Sequence, residues 1–203
     1  MGSKYSAAAH WPHDFNEAGL QKWAESLRAQ LEAPRVSLGL VFMSPRFFAR
    51  ARQVLEILRV HARLPLLAGC SSQSLIVGDH EVEEHAGLTL GLYALPGAEL
   101  KAVYCTQTQV EEANGPAYWH LETGIQPDQT NGWLAFIDPF HLDSETWLQT
   151  WNEAYAPVPV LGGLASGEPN EQATQVYLNG EVYEEGGVAI SVGGAVQLVG
   201  VTS

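Results

Sequence analysis

Cysteine is nearly absent: 203 residues contain only Cys70 and Cys105. That excludes a disulfide framework and suits a reducing compartment. No apolar run approaches the roughly 18–20 residues that span a bilayer. The opening MGSKYSAAAHWPHD lacks the apolar core of a signal peptide. It matches the loose M-G-x-x-x-[ST] acylation pattern through Gly2 and Ser6, but that pattern is too short to outweigh the rest. A soluble, cytoplasmic protein without membrane insertion is expected. Basic residues are scarce too. Ten Lys and Arg against 23 Asp and Glu give a net charge of −13, which speaks against nucleic acid as a partner because phosphate contacts need cations. No H-E-x-x-H, C-x-x-C, P-loop or strand-following G-x-G-x-x-G is present, so no metal or cofactor is expected. The 46% of hydrophobic residues is ordinary for a globular chain of one large domain or two small ones.

The charge is segregated. Residues 1–64 carry nine Lys and Arg against five Asp and Glu, and the rest of the chain has one, Lys101, against 18. A basic helix lying beside an acidic body accounts for this, with most of the charge solvated. An Arg-bearing surface for an acidic partner is the sharper alternative.

Leu20, Trp23, Leu27 and Leu31 mark one face of a leading helix capped by Asp14 or Asn16 and ended before Pro34. Leu38 to Met43 reads as a buried strand. Ser44-Pro45 opens a second helix striped by Phe47, Ala51, Val54, Leu55, Leu58 and Ala62. Short β-rich runs follow at 66–68, 75–77, 88–95 and 100–105. Two anchors then recur at an offset of 94: Ser44-Pro45 with Asp138-Pro139, and Pro65 to Ser72 with Pro159 to Ser166. The pairing of Glu81-Val82 and Gly87 to Leu90 with Glu181-Val182 and Gly187 to Ile190 has an offset of 100. The stretch between the anchors reads as helical in both copies, and the second copy places Leu148, Trp151 and Tyr155 on its apolar stripe.

Ordered anchors of this kind imply internal duplication. The expected fold class is α+β, with two pseudo-symmetric strand–helix–strand units, each followed by antiparallel strands. These would form a layered α-β-β-α sandwich with an extra N-terminal helix. Expected boundaries are 1–35 for the leading helix and 36–203 for the main domain: repeat one 36–105, a polar linker 106–131, repeat two 132–203. A single continuous mixed sheet is the alternative. Tyr118 to Leu121, inside the linker, reads as a packing anchor.

Chemistry concentrates at the corner that ends the third element of each copy. The first corner offers Gly69, Cys70, Ser71 and Ser72; the second offers Gly162, Gly163 and Ser166. Glycine there lets backbone approach a ligand or a neighbouring strand closely. By the offset of 94, Gly163 matches Gly69 and Leu164 matches Cys70, so the thiol has no counterpart. Catalysis by Cys70 would need a base and an oxyanion hole. His80 and His85, five apart on one acidic hairpin, would point to opposite faces of a strand. Asp138, His141 and Asp143 fit a turn and a helix cap better than a metal site.

These residues carry a family resemblance. Leu40 to Pro45, Pro65 to Ser72, the Glu-containing hairpin, Pro159 to Gly167 and Val176 to Val182 together resemble the N-terminal FIST domain (F-box and intracellular signal transduction) over residues 36–203. The resemblance implies a non-catalytic intracellular sensor module that binds small ligands, amino acids or related metabolites, and passes the signal onward. It implies as output partner a C-terminal FIST domain or a separate signalling protein, and a homodimer as one way to cover exposed surface. Gln73-Ser74 stand where the family often has a glycine after the first corner; the second corner keeps Gly167. A last strand is expected over Ala195 to Val201. A hydrolase or amidase using Cys70 or a neighbouring serine is the alternative function, and a protein-interaction scaffold using the Arg46 to Arg63 helix is another.

Overall fold

A computed structural model describes residues 4–78, 80–83, 87–168, 170 and 172–200. In chain order the elements are β1 (Ser6–Trp11), α1 (Glu17–Ala29), β2 (Leu38–Met43), a 3-10 turn (Pro45–Arg50) running into α2 (Ala51–His61), β3 (Leu67–Ser71), β4 (Leu75–Val77), β5 (His80–Val82) and β6 (Leu88–Tyr93). Next come β7 (Ala98–Cys105), α3 (Gln107–Glu112), α4 (Pro116–Thr123), a 3-10 turn (Pro127–Gln129), β8 (Gly132–Ile137), α5 (Ser144–Tyr155), β9 (Val160–Leu164), β10 (Val176–Leu178), β11 (Glu181–Tyr183) and β12 (Gly187–Gly194). The class is α+β, as expected. Gly2, Glu84 and His85 lie outside the described residues.

Two compact units partition the chain: residues up to Leu95 together with Ala165–Glu184, and Pro96–Leu164 together with the residues from Glu185 on. The first unit has a six-stranded sheet ordered β1-β6-β2-β3-β10-β11, and among the described residues β4 and β5 pair only with each other. Among the described residues of this sheet, β2 and β3 form the one parallel pair, with Val41 opposite Gly69, because the α2 crossover joins them. Helix α1 begins where the Asn16 side chain accepts the Gly19 N–H at 2.9 Å. Its buried Leu20, Ala24 and Leu27 meet Val54, Leu55 and Leu58 of α2 in one core with Val41, Leu90 and Tyr177. His61 of α2 pairs with Glu25 of α1 at 2.8 Å. Arg52 meets Glu181 at 2.9 Å on the surface, so part of the basic helix is matched by acidic residues of its own unit.

The second unit has a four-stranded sheet ordered β7-β12-β8-β9. Again one pair, β8 and β9, is parallel, with Ala135 opposite Gly162. Helices α3, α4 and α5 bury Trp119, Trp147, Trp151 and Tyr155 with Trp133 of β8. Trp133 meets Trp151 edge-on at a centroid distance of 4.8 Å, and Trp119 meets it tilted at 4.9 Å. Aromatic pairs at such spacing each add about 0.5–1.5 kcal/mol beyond their buried area.

Several expectations are corrected. A separate leading helix over 1–35 omits β1, which pairs antiparallel with β6 from Ser6↔Tyr93 to Trp11↔Leu88 and makes the leading segment part of the sheet. The alternative of one continuous sheet fails, since six-, four- and two-stranded sheets form. The polar stretch 106–131 folds instead of linking. Thr106 and Gln109 form a capping box for α3, and Pro116 opens α4 before Gly124 closes it at φ 63°. Trp119 inside it is buried, a packing anchor as expected. Leu148 is 42% exposed and leaves the stripe that Trp147, Trp151, Ala154 and Tyr155 form. Residues 196–200 carry no regular structure where a strand was expected; Leu198 instead packs over Gly132.

Candidate functional site

The first corner is closed by its own hydrogen bonds. Gly69 sits at φ 154°, and a Cβ there would meet the Val41 carbonyl oxygen at 1.7 Å, so glycine is required by the approach of β2. Ser71 is fully buried. Its N–H donates to the Gln175 carbonyl at 2.8 Å, its Oγ accepts the Gln175 N–H at 3.0 Å, and its carbonyl accepts the Ser166 N–H at 3.0 Å. The Ser166 Oγ accepts the Gln73 N–H at 3.0 Å. The Ser72 hydroxyl donates to the Ser74 carbonyl at 2.6 Å. Thus Ser71, Ser72 and Ser166 come together, and their polar atoms bind neighbouring backbone. Cys70 is buried, and burial pushes its thiol up to about 12. At neutral pH it is a thiol with no thiolate character, which argues against a nucleophile.

Gly162 and Gly163 stand differently. Gly162, at φ 153°, matches Gly69: its Cβ would meet the Ala135 carbonyl oxygen at 1.8 Å. Strand register therefore pairs Gly162 with Gly69 and Gly163 with Cys70, one residue from the match by sequence offset, because the α5 crossover is one residue shorter. A Cβ on Gly163 would meet nothing within 4 Å. Both glycines line a groove of about 430 Å³ with Ala135, Ile137, Ser144, Glu145, Trp147, Leu148, Val160, Leu161 and Leu164. It runs the length of β9, from Val160 to Leu164, against Ala135 and Ile137 of β8 and the first turns of α5. Its walls are mainly apolar, and it contains no Lys or Arg. The N-terminus of α5 offers no anion site, since the Asp143 carboxylate accepts the Thr146 N–H at 3.0 Å and its hydroxyl at 2.7 Å. Those bonds hold Asp143 below the usual carboxylate range.

Asp138 is fully buried; it accepts the backbone N–H groups of Phe140 and His141 at 3.0 Å each and bonds the His141 ring at 2.8 Å. It organises the turn before α5, as expected. Among the described residues no three His, Cys, Asp or Glu side chains gather to hold a metal ion, and no helix is long and apolar enough to cross a membrane. Cys105 is buried like Cys70, and burial again raises its thiol to about 12.

Comparison with known proteins supplies the family. The model of the FIST N domain matches residues 37–203. The chain belongs to the FIST family. An uncharacterised protein of Mycobacterium bovis is 25% identical over 173 residues, covering 84% of this chain and 43% of the relative. Two uncharacterised proteins of Mycobacterium tuberculosis CDC 1551 are 25% and 24% identical over 173 and 174 residues. The chain thus spans less than half the length of these relatives. FIST is a signal-transduction sensor family. Within this FIST N domain, Gly167 follows the second corner because a Cβ there would meet the Ala173 carbonyl oxygen at 1.8 Å. At the first corner Gln73 donates its backbone N–H to Ser166 instead. Sequence reasoning missed the groove walls Ile137, Trp147 and Leu148. Helical periodicity alone places Leu148 on the buried stripe, whereas it is 42% exposed at the groove.

Proposed function

We propose that this FIST N domain is a non-catalytic, cytoplasmic sensing module that binds a small metabolite, an amino acid or a related compound, in the groove beside Gly162 and Gly163. The observation that carries this is the open apolar groove of about 430 Å³ along β9 and the first turns of α5, within the size range of small-molecule sites. In this reading Gly69, Cys70, Ser71, Ser72 and Ser166 shape the first corner and hold it rigid. Two buried, unpaired cysteines suit a reducing compartment. A C-terminal FIST domain or a separate signalling protein would carry the output, and a homodimer is one form the assembly could take.

The test is a thermal-shift screen against amino acids, small carboxylates and nucleotides. A ligand at 100 times its Kd stabilises by about 2.7 kcal/mol, a shift of roughly 2–4 °C. A saturable shift with one chemical class, lost in the Leu148→Glu variant, supports the reading. A folded sample that responds to none of them contradicts it.

A further inference from the structure

The two units share an arrangement up to one strand. In each, a parallel pair is joined by a helix: β2-α2-β3 and β8-α5-β9. In each, an antiparallel strand flanks the first member, β6 beside β2 and β12 beside β8. The ladders begin alike, with Gly39 N–H on the Leu66 carbonyl at 2.8 Å and Trp133 N–H on the Pro159 carbonyl at 2.9 Å. The difference lies on the far edge. Beside β3 runs β10, antiparallel, with Tyr177 opposite Gly69. It is held at its ends by the Asn179 N–H on the Leu67 carbonyl at 2.6 Å and the Ser71 N–H on the Gln175 carbonyl at 2.8 Å. Tyr177 is fully buried in the core that holds Val41 and Met43.

Beside β9, no strand pairs on that edge among the described residues. Since Trp133 bonds Pro159, strand alternation turns the N–H and C=O groups of Val160, Gly162 and Leu164 away from β8. Leu164 is 56% exposed. The groove lies where the counterpart of Tyr177 would enter, walled by Ala135 and Ile137, which match Val41 and Met43 by strand register.

We propose that the open edge of β9 docks an extended strand of a partner polypeptide, antiparallel, with an aromatic or large aliphatic side chain opposite Gly162 filling the groove. Main-chain bonds would supply affinity and the groove would supply selectivity, as in other strand additions. The groove has no cation to meet a free carboxylate, and Asp143 already occupies the α5 N-terminus, which suits a neutral main chain whose ends lie outside the groove. Glu145 at the groove favours a neutral or basic flank on the partner. This goes beyond the preceding reading: it rests on the same groove and gives it a polypeptide occupant in place of a small metabolite.

An acetylated, amidated peptide copying Thr174–Asn179 is the probe, titrated by tryptophan fluorescence because Trp147 lines the groove. Saturable binding is expected. Affinity should fall at least about tenfold when alanine replaces the tyrosine, when that tyrosine is N-methylated, or when N-acetyltyrosinamide is used alone. Leu148→Glu and Leu164→Asp should each weaken it by a similar factor; two variants guard against one failing to fold. No binding up to about 1 mM, indifference to N-methylation, or indifference to both substitutions overturns the proposal. If N-acetyltyrosinamide or a metabolite binds in the groove as well as the peptide does, strand docking falls while the small-ligand reading stands.

Discussion

Glycines 69, 162 and 163 look alike in sequence and do different work. At Gly69 and Gly162 the missing Cβ admits a neighbouring carbonyl, at 1.7 and 1.8 Å from where it would sit. Alanine at either position should destabilise by about 3 kcal/mol, since the neighbour is backbone and cannot yield cheaply. Gly163→Ala should stay within about 0.5 kcal/mol, as surface changes usually do; urea melts of the three variants check the contrast. That glycine at each corner admits a close backbone neighbour was legible in the sequence. Which glycine matched which was not, because a one-residue difference in the helical crossovers shifts the match and only strand pairing reveals it. The cysteines give a second expectation. A thiol reagent at neutral pH should leave native Cys70 and Cys105 unmodified and label both after denaturation; rapid native labelling of Cys70 would revive the nucleophile reading.

At the level of elements, helix stripes were readable where periodicity was strong, as in α1 and α2. Strand β1 was not, because Ser6-Ala7-Ala8-Ala9 has low β-propensity and gains its place by pairing with β6. Residues 106–131 escaped for a related reason. Helices of six and eight residues show too few turns for a period, and only the burial of Trp119 reveals their anchoring. The core that α5 builds is aromatic. Trp151→Ala should cost about 3–5 kcal/mol, since its ring lies within 4.9 Å of Trp119, Trp133 and Trp147. Leu148→Gln, one turn away on the groove wall, should leave the melting midpoint within about 2 °C.

For the whole molecule, the sequence correctly indicated an α+β chain but not its division into units, because β10 and β11 follow β9 in sequence yet join the other sheet, β10 beside β3 and β11 beside β10. Burial of both thiols also sets a pH dependence. Their folded values of about 12 exceed the ordinary 9.0. Their contribution to stability is therefore complete below about 9 and declines as the pH rises toward 12, while the unfolded chain loses protons. Tyr177, raised by its own burial, adds in the same sense. The urea midpoint should hold steady from neutral pH to about 8.5 and fall above 9, less steeply in a Cys70→Ala, Cys105→Ala double variant. An alkaline profile unchanged by that double variant would count against this account of the burial.

The central claim is that β9 presents an open edge where β3 is closed, and amide hydrogen exchange read residue by residue by NMR addresses it without a ligand. Gly69 and Ser71 should be protected to nearly the extent of global unfolding, as should Leu161 and Gly163, whose N–H groups face β8. Gly162 and Leu164 should exchange close to the rate of unstructured peptide. Protection of Gly162 equal to that of Gly69 would mean the edge is already covered, and strand docking there would be contradicted.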